Sequence, residues 1–176
     1  MFSFTSKGSA SSPNDNADTW DNFIEGAMLY YEGLAGAAIV GLEDGVVWGS
    51  STPDVLTTEE YSATFETEEG NESQAQVLEG AQIAQFMQTR RKPPSGLRIG
   101  QKKWMVLRTL DYSTNALPSG RTIFSVYGKC GSLGCCLALA DKSVVVTTCN
   151  QNLGQTASHC NAVALRTATW LLLNGL

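Results

Sequence analysis

The chain is nearly without histidine, and that alone removes most catalytic arrangements. His159 is the single imidazole in 176 residues. Any Ser-His-Asp or Cys-His pair would have to use it, and no acidic residue stands near it in sequence to orient the ring. No G-x-S-x-G, P-loop or GxGxxG occurs. The carboxylates at 59–72 lack the D-x-D-x-D-G order of a calcium loop. These absences point to a binding protein and leave, as a rival, a small enzyme using His159 or Cys160. Long apolar runs are also missing. None approaches the roughly 20 residues of a membrane span, and the opening MFSFTSKGSASSPNDNAD lacks the apolar middle of a secretory signal. A cytoplasmic protein is expected, with a disordered tail over 1–18 and one domain over 19–176.

Paired cysteines are absent too. The five thiols, Cys130, Cys135, Cys136, Cys149 and Cys160, are odd in number and form no CxxC. Cys135 and Cys136 are adjacent, so a strand would send them to opposite faces. Reduced, buried thiols are the expectation, with no metal and no cofactor. Each half of the chain is short of one sign of charge. Residues 1–89 carry fifteen of the seventeen carboxylates and one lysine, and residues 90–176 carry eleven of the twelve Lys and Arg with two carboxylates. The halves are therefore −14 and +9. Two readings stay open: a mixed solvated surface, or a basic face that meets an acidic partner. Nucleic acid fits poorly, because the whole chain is acidic.

What is present reads as α+β. Trp20, Phe23, Ile24, Ala27 and Met28 share one face of a helix near 19–31, with Thr19 as its cap. AGAAIVGLEDGVVWGSS predicts a hairpin, with strands at 36–41 and 46–50. Residues 51–76 are polar and acidic. They read either as a two-strand arm turning at Glu69, Gly70 and Asn71, or as a disordered acidic loop. A helix is expected near 78–89, stopped by Pro93 and Pro94. Five short strands follow, then a helix from about 158 to 174, capped by Ser158, with Ala162, Leu165, Thr169 and Leu172 towards the sheet. Strands flanked by terminal helices predict a single antiparallel sheet with both terminal helices on one face. That arrangement brings Trp20, Phe23, Trp48 and Trp170 to one end of it. Such rings are ordinarily core, but exposed in a shallow groove they would suit a proline-rich chain, which is already extended and loses little entropy on binding.

Four stretches, in this order, resemble the profilin family. TWDNFIEGAML is similar to its Trp-x-x-Tyr first helix, with Phe23 in place of tyrosine. AAIVGLEDGVVWGSS resembles its first hairpin, PPSGLRIGQKKWMVLR its Pro-x-Gly-Leu-x-Leu-Gly-Gly-x-Lys-Tyr stretch, and HCNAVALRTATWLLLNGL the last helix of plant-type members. The likeness covers about 19–50 and 93–176. EEYSATFETEEGNESQAQVLEGAQI resembles the extra arm of apicomplexan-type profilins. The resemblance implies a protein that binds monomeric actin and regulates its polymerisation and nucleotide exchange, without enzymatic chemistry. It also implies that Trp20, Phe23, Trp48 and Trp170 take proline-rich partners such as formin-type actin nucleators. The implied actin face is Lys103, Met105, Val106, Arg108, Lys129, Asn152 and Gly154. A phosphoinositide patch would use Arg90, Arg91, Lys92 and Arg98, with Lys102 and Lys103 beside it. A monomer in the cytoplasm and cytoskeleton is implied as well. The chain departs from the pattern at Ser158, where members often carry lysine, at Ala162, where they carry glutamate, and at Gln101 in the Gly-Gly pair. An adaptor that keeps the proline-rich groove and has lost strong actin binding, or a lipid-surface module, are the rival readings.

Overall fold

A computed structural model describes residues 19–29 and 33–176, so the expected tail at 1–18 and the end of the first helix at 30–31 lie outside the described residues. The elements run α1 (Trp20–Ile24), a π-helical turn (Glu25–Leu29), β1 (Gly36–Gly41), β2 (Val47–Ser50), β3 (Tyr61–Glu66), β4 (Glu72–Val77), α2 (Glu79–Thr89), β5 (Leu97–Ile99), β6 (Lys102–Tyr112), β7 (Ile123–Cys130), β8 (Leu133–Leu139), β9 (Ser143–Asn150), a 3-10 turn (Gln151–Leu153) and α3 (Ala157–Leu173). Seven strands form one sheet in the order β2-β1-β9-β8-β7-β6-β5, and every neighbouring pair is antiparallel. β3 and β4 form a separate two-stranded ribbon that turns at Gly70.

The sheet has a core on each side. On one, α1, its π turn and α3 bury Trp20, Ile24, Met28, Cys136, Cys149, Cys160, Val163 and Leu171. On the other, α2 and β5 bury Ile83, Phe86, Leu97, Trp104 and Val146. The terminal helices thus share one face, as expected. Cys135 and Cys136 part to opposite cores, as adjacent strand residues must. The central strands are apolar at nearly every position because both their faces are covered, β1 along its whole length.

Three details differ from the sequence reading. The cap of α3 is Thr156, whose Oγ1 accepts the His159 N–H at 3.2 Å, so the helix starts earlier than a Ser158 cap would allow. Its buried stripe is Cys160, Val163, Ala164, Thr167, Ala168 and Leu171. Ala162 is exposed, Leu165 and Thr169 are half-buried, and of the expected four Leu172 alone is buried. The helix is apolar nearly all round, so periodicity could not fix its phase. The small side chains then decided it by letting the helix lie close to the sheet. Ala27 is exposed because the α-helical turn widens at Glu25 and carries it off the line of Trp20, Ile24 and Met28.

One buried charge ties the ribbon to the body. The Glu79 carboxylate, wholly buried at the start of α2, accepts the Thr57, Gly100 and Gln101 N–H groups at 2.9, 2.9 and 2.6 Å and the Tyr61 hydroxyl at 2.9 Å. A buried carboxylate is tolerated when donors surround it in this way. Burial, reinforced by this carboxylate, pushes the Tyr61 hydroxyl well above its ordinary range, so it remains a donor.

Candidate functional site

Two surfaces assemble the residues singled out in sequence. The first is a row of rings where α1, β2 and α3 meet. Thr19 caps α1 by accepting the Asn22 N–H at 3.2 Å, and Asp21 Oδ1 accepts the Ser50 N–H at 3.0 Å, fixing the helix against β2. Gly49 lets the helix come so near. A methyl there would stand 2.7 Å from Trp20 Cβ and 2.9 Å from the Asp21 carboxylate. Trp20 then meets Trp48 with ring centres 5.2 Å apart and Phe23 edge-on at 5.9 Å, and Phe23 stacks on Trp170 at 5.2 Å with 27° between planes. All four predicted aromatics are therefore together. Trp20, at 6% exposure, is the floor of the row, while Phe23, Trp48 and Trp170 are half-buried and keep open edges. Such contacts fix ring positions before any ligand arrives.

The second surface is β6 with its neighbours. Met105 is 69% exposed, Leu107 50% and Leu110 45%, an unusual density of open apolar side chains for one strand. A bulge between Val106 and Arg108 shifts the register, so that Met105 pairs with Lys129 and Arg108 with Tyr127. The extra residue turns Arg108 to the α3 side of the sheet. Val106 packs with Trp104 against the α2 side, away from Met105 and Arg108, so the implied face loses that member. Lys129 Nζ donates to Gln151 Oε1 at 3.4 Å, next to the exposed Asn152 and Gly154. Lys103 is exposed near the start of the same strand. Between β6, β7 and α3 lies a groove of about 990 Å³ lined by Arg108, Tyr112, Tyr127, Leu165, Arg166 and Trp170. Sequence reading missed Tyr112, Tyr127 and Arg166. The bulge that brings them beside Arg108 has no sequence signal of its own.

Two of the four residues of the basic patch have partners of their own. Arg90 is bidentate on Asp111 at 2.8 and 3.0 Å and lies over the Phe124 ring, and Arg98 donates to the Thr64 carbonyl at 3.1 Å. Arg91 and Lys92 are exposed. His159 lies exposed in the first turn of α3, while Cys160 beside it is buried. All five cysteines are free thiols, and among the described residues no three His, Cys, Asp or Glu side chains gather to hold a metal. No described helix is long and apolar enough to cross a membrane.

A curled antiparallel sheet with both terminal helices on one face and an aromatic row between them defines a class of small binding proteins. The profilin family model matches residues 18–176, and the chain belongs to that family, whose members bind partners and are not enzymes. Solved structures share the fold. Acanthamoeba castellanii profilin IA superposes with a TM-score of 0.60 at 21% identity over 90% of this chain and 100% of its own. Schizosaccharomyces pombe profilin gives 0.61 at 18% identity, over the same shares of the two chains. Mouse profilin IIa, in complex with a double repeat from the FH1 domain of mDia1, gives 0.54 at 19% identity over 89% of this chain and 99% of its own. No curated protein sequence matches the chain.

Proposed function

We propose that the chain binds monomeric actin through β6, Lys129 and the 150–154 turn, and holds proline-rich segments on the row Trp48, Trp20, Phe23 and Trp170. The observation that carries this is the contact of those four rings, drawn from three separate elements. A core needs no such row at its margin, whereas a proline-rich strand lies flat on ring edges and faces and pays little ordering entropy. The FH1 repeat held by the mouse neighbour supports formin-type partners for this chain too. About β6, Lys103, Arg108 and Lys129 flank the open Met105, a layout suited to an acidic protein partner. Through it the protein would regulate subunit delivery to filaments and nucleotide exchange, as a cytoplasmic, cytoskeleton-associated monomer.

A second reading has its own observation. Ser158 and Ala162 both stand exposed on α3, where charged side chains would add to the actin face. This favours an adaptor that retains the aromatic row with weakened actin binding. Titration into labelled monomeric actin, read by anisotropy, separates the two. Saturation supports the first reading. No binding, with tryptophan fluorescence still quenched by polyproline, supports the second. A phosphoinositide role would rest on Arg91 and Lys92, since Arg90 and Arg98 are engaged, and absence of liposome flotation at physiological salt would remove it.

A further inference from the structure

Most of the outer edge of β6 is backbone that no described strand pairs with. The neighbour on that side, β5, is short for a local reason. Pro93 and Pro94 precede it and have no N–H to donate, and Gly96 turns the chain with φ at 81°. The strand is therefore three residues long and pairs only with Lys102, Lys103 and Trp104. Over residues 105–112, β7 alone lies beside β6. Among the described residues no backbone hydrogen bond reaches this run from any other element. We propose that the open edge at 105–112 takes up an extended, acidic peptide segment as an added strand, in line with β5.

The run stands clear of both helical layers. Met105, Leu107, Arg108, Thr109, Leu110 and Asp111 are all exposed. Side chains along a strand point to both faces of the sheet, so neither α2 nor α3 covers this part of it. A segment laid alongside gains main-chain hydrogen bonds, and its alternate side chains meet Met105, Leu107 and Leu110. The open length is about 25 Å at the usual rise of a strand.

Charge selects the occupant. Lys102, Lys103 and Arg108 stand on β6 itself, and Lys129 sits opposite Met105 on β7. The one carboxylate of the run, Asp111, is already held by Arg90 at 2.8 and 3.0 Å. The edge thus keeps an excess of positive charge, which favours carboxylates on the incoming strand. The same charge disfavours a second copy of this chain. Two β6 edges pairing with each other would set Lys102, Lys103 and Arg108 against the same three cations. The bulge between Val106 and Arg108 adds local twist, which hinders a stiff sheet edge and lets a pliable peptide follow. Main-chain pairing of this kind needs no actin, although actin bound at β6 would compete with it.

The test uses the full chain, without actin, and fluorescein-labelled synthetic peptides of the same length as the open run. The first alternates valine and glutamate. The second has the same side chains, but every internal backbone nitrogen is methylated, so the charges stay and the N–H donors go. The third alternates valine and lysine. The first peptide is expected to bind saturably by anisotropy and to slow deuterium exchange at alternate amides of residues 105–112. The methylated peptide is expected to bind about tenfold more weakly or worse, and the lysine peptide not at all. Arg108→Glu is expected to weaken the first peptide and admit the third. Equal affinity for the first two peptides would mean attraction by charge alone and would overturn strand addition, as would unchanged exchange at 105–112. Dimers in sedimentation that the first peptide dissolves would make the occupant a second copy, which also overturns the proposal. Labelled actin, titrated separately, keeps the two readings apart. Peptide binding without actin binding sinks the actin reading alone, and the converse sinks this one.

Discussion

Glu79 illustrates how one side chain can hold several segments. Four donors converge on its carboxylate, from the base of the ribbon and from the β5–β6 turn. Glu79→Ala would strand those donors and is expected to cost about 2–5 kcal/mol, read from urea unfolding. A loss under 1 kcal/mol would mean that the donors find water instead. Tyr61 and Tyr127 give a pH dependence with a definite sign. Burial leads both shifts, and both hydroxyls are raised in the folded state. A raised folded value contributes stability below the unfolded value of about 10 and loses it as pH climbs towards the folded one. Melting temperature is therefore expected to fall above about pH 10, and less steeply in Tyr61→Phe. Gly134→Ala forces a methyl to within 2.9 Å of the Cys149 sulfur and 3.0 Å of the Tyr127 hydroxyl and should destabilise by about 1–3 kcal/mol. Trp48→Ala should weaken polyproline binding by about 1–3 kcal/mol, measured by fluorescence titration, because it removes one end of the ring row. Unchanged affinity in a folded variant would sink the groove assignment.

At the scale of elements, the β3–β4 ribbon makes the sharpest expectation. Its outer residues 66–72 are largely exposed, whereas Ala63 and Val77 near its base are buried and Tyr61 is bonded to Glu79. Replacing 66–72 with a two-residue turn should leave the melting curve cooperative and nearly unshifted. Removing Tyr61 as well should not, since Glu79 loses its hydroxyl donor. Elements marked by local chemistry were legible in sequence: the β1–β2 hairpin through its Glu-Asp-Gly turn, α2 through Pro93 and Pro94, and the ribbon through Gly70. The four aromatics were legible as a set because α1, β2 and α3 were expected to meet at one end of the sheet. The phase of α3 and the bulge at Leu107 were not. Each is decided by contacts between segments far apart in the chain, which local pattern does not record. Glu79 was hidden for the same reason. Among the many carboxylates of the acidic half, nothing nearby distinguishes the one that is buried.

For the whole molecule, the uneven charge of the chain resolves into separate regions. Glu66, Glu68, Glu69 and Glu72 project on the ribbon tip, while Lys103, Arg108 and Lys129 lie about β6. Binding of an acidic partner at β6 should therefore slow as salt rises, with the change mostly in the association rate. Double substitution of Lys103 and Arg108 by alanine should flatten that salt dependence in stopped-flow measurements, and an unchanged slope would place the basic contact elsewhere. The sheet order has a further outcome, one that concerns the chain while it is being made. β1 closes against β9, with Gly36 opposite Thr148, so the middle of the sheet joins the two ends of the sequence. A ribosome adding about 5–20 residues per second needs on the order of 5–20 s to deliver β9 after β1. During that interval β1, buried along its whole length in the finished fold, is paired on one edge only, and the nascent chain depends on chaperones or on its own acidic stretch to stay apart from its neighbours.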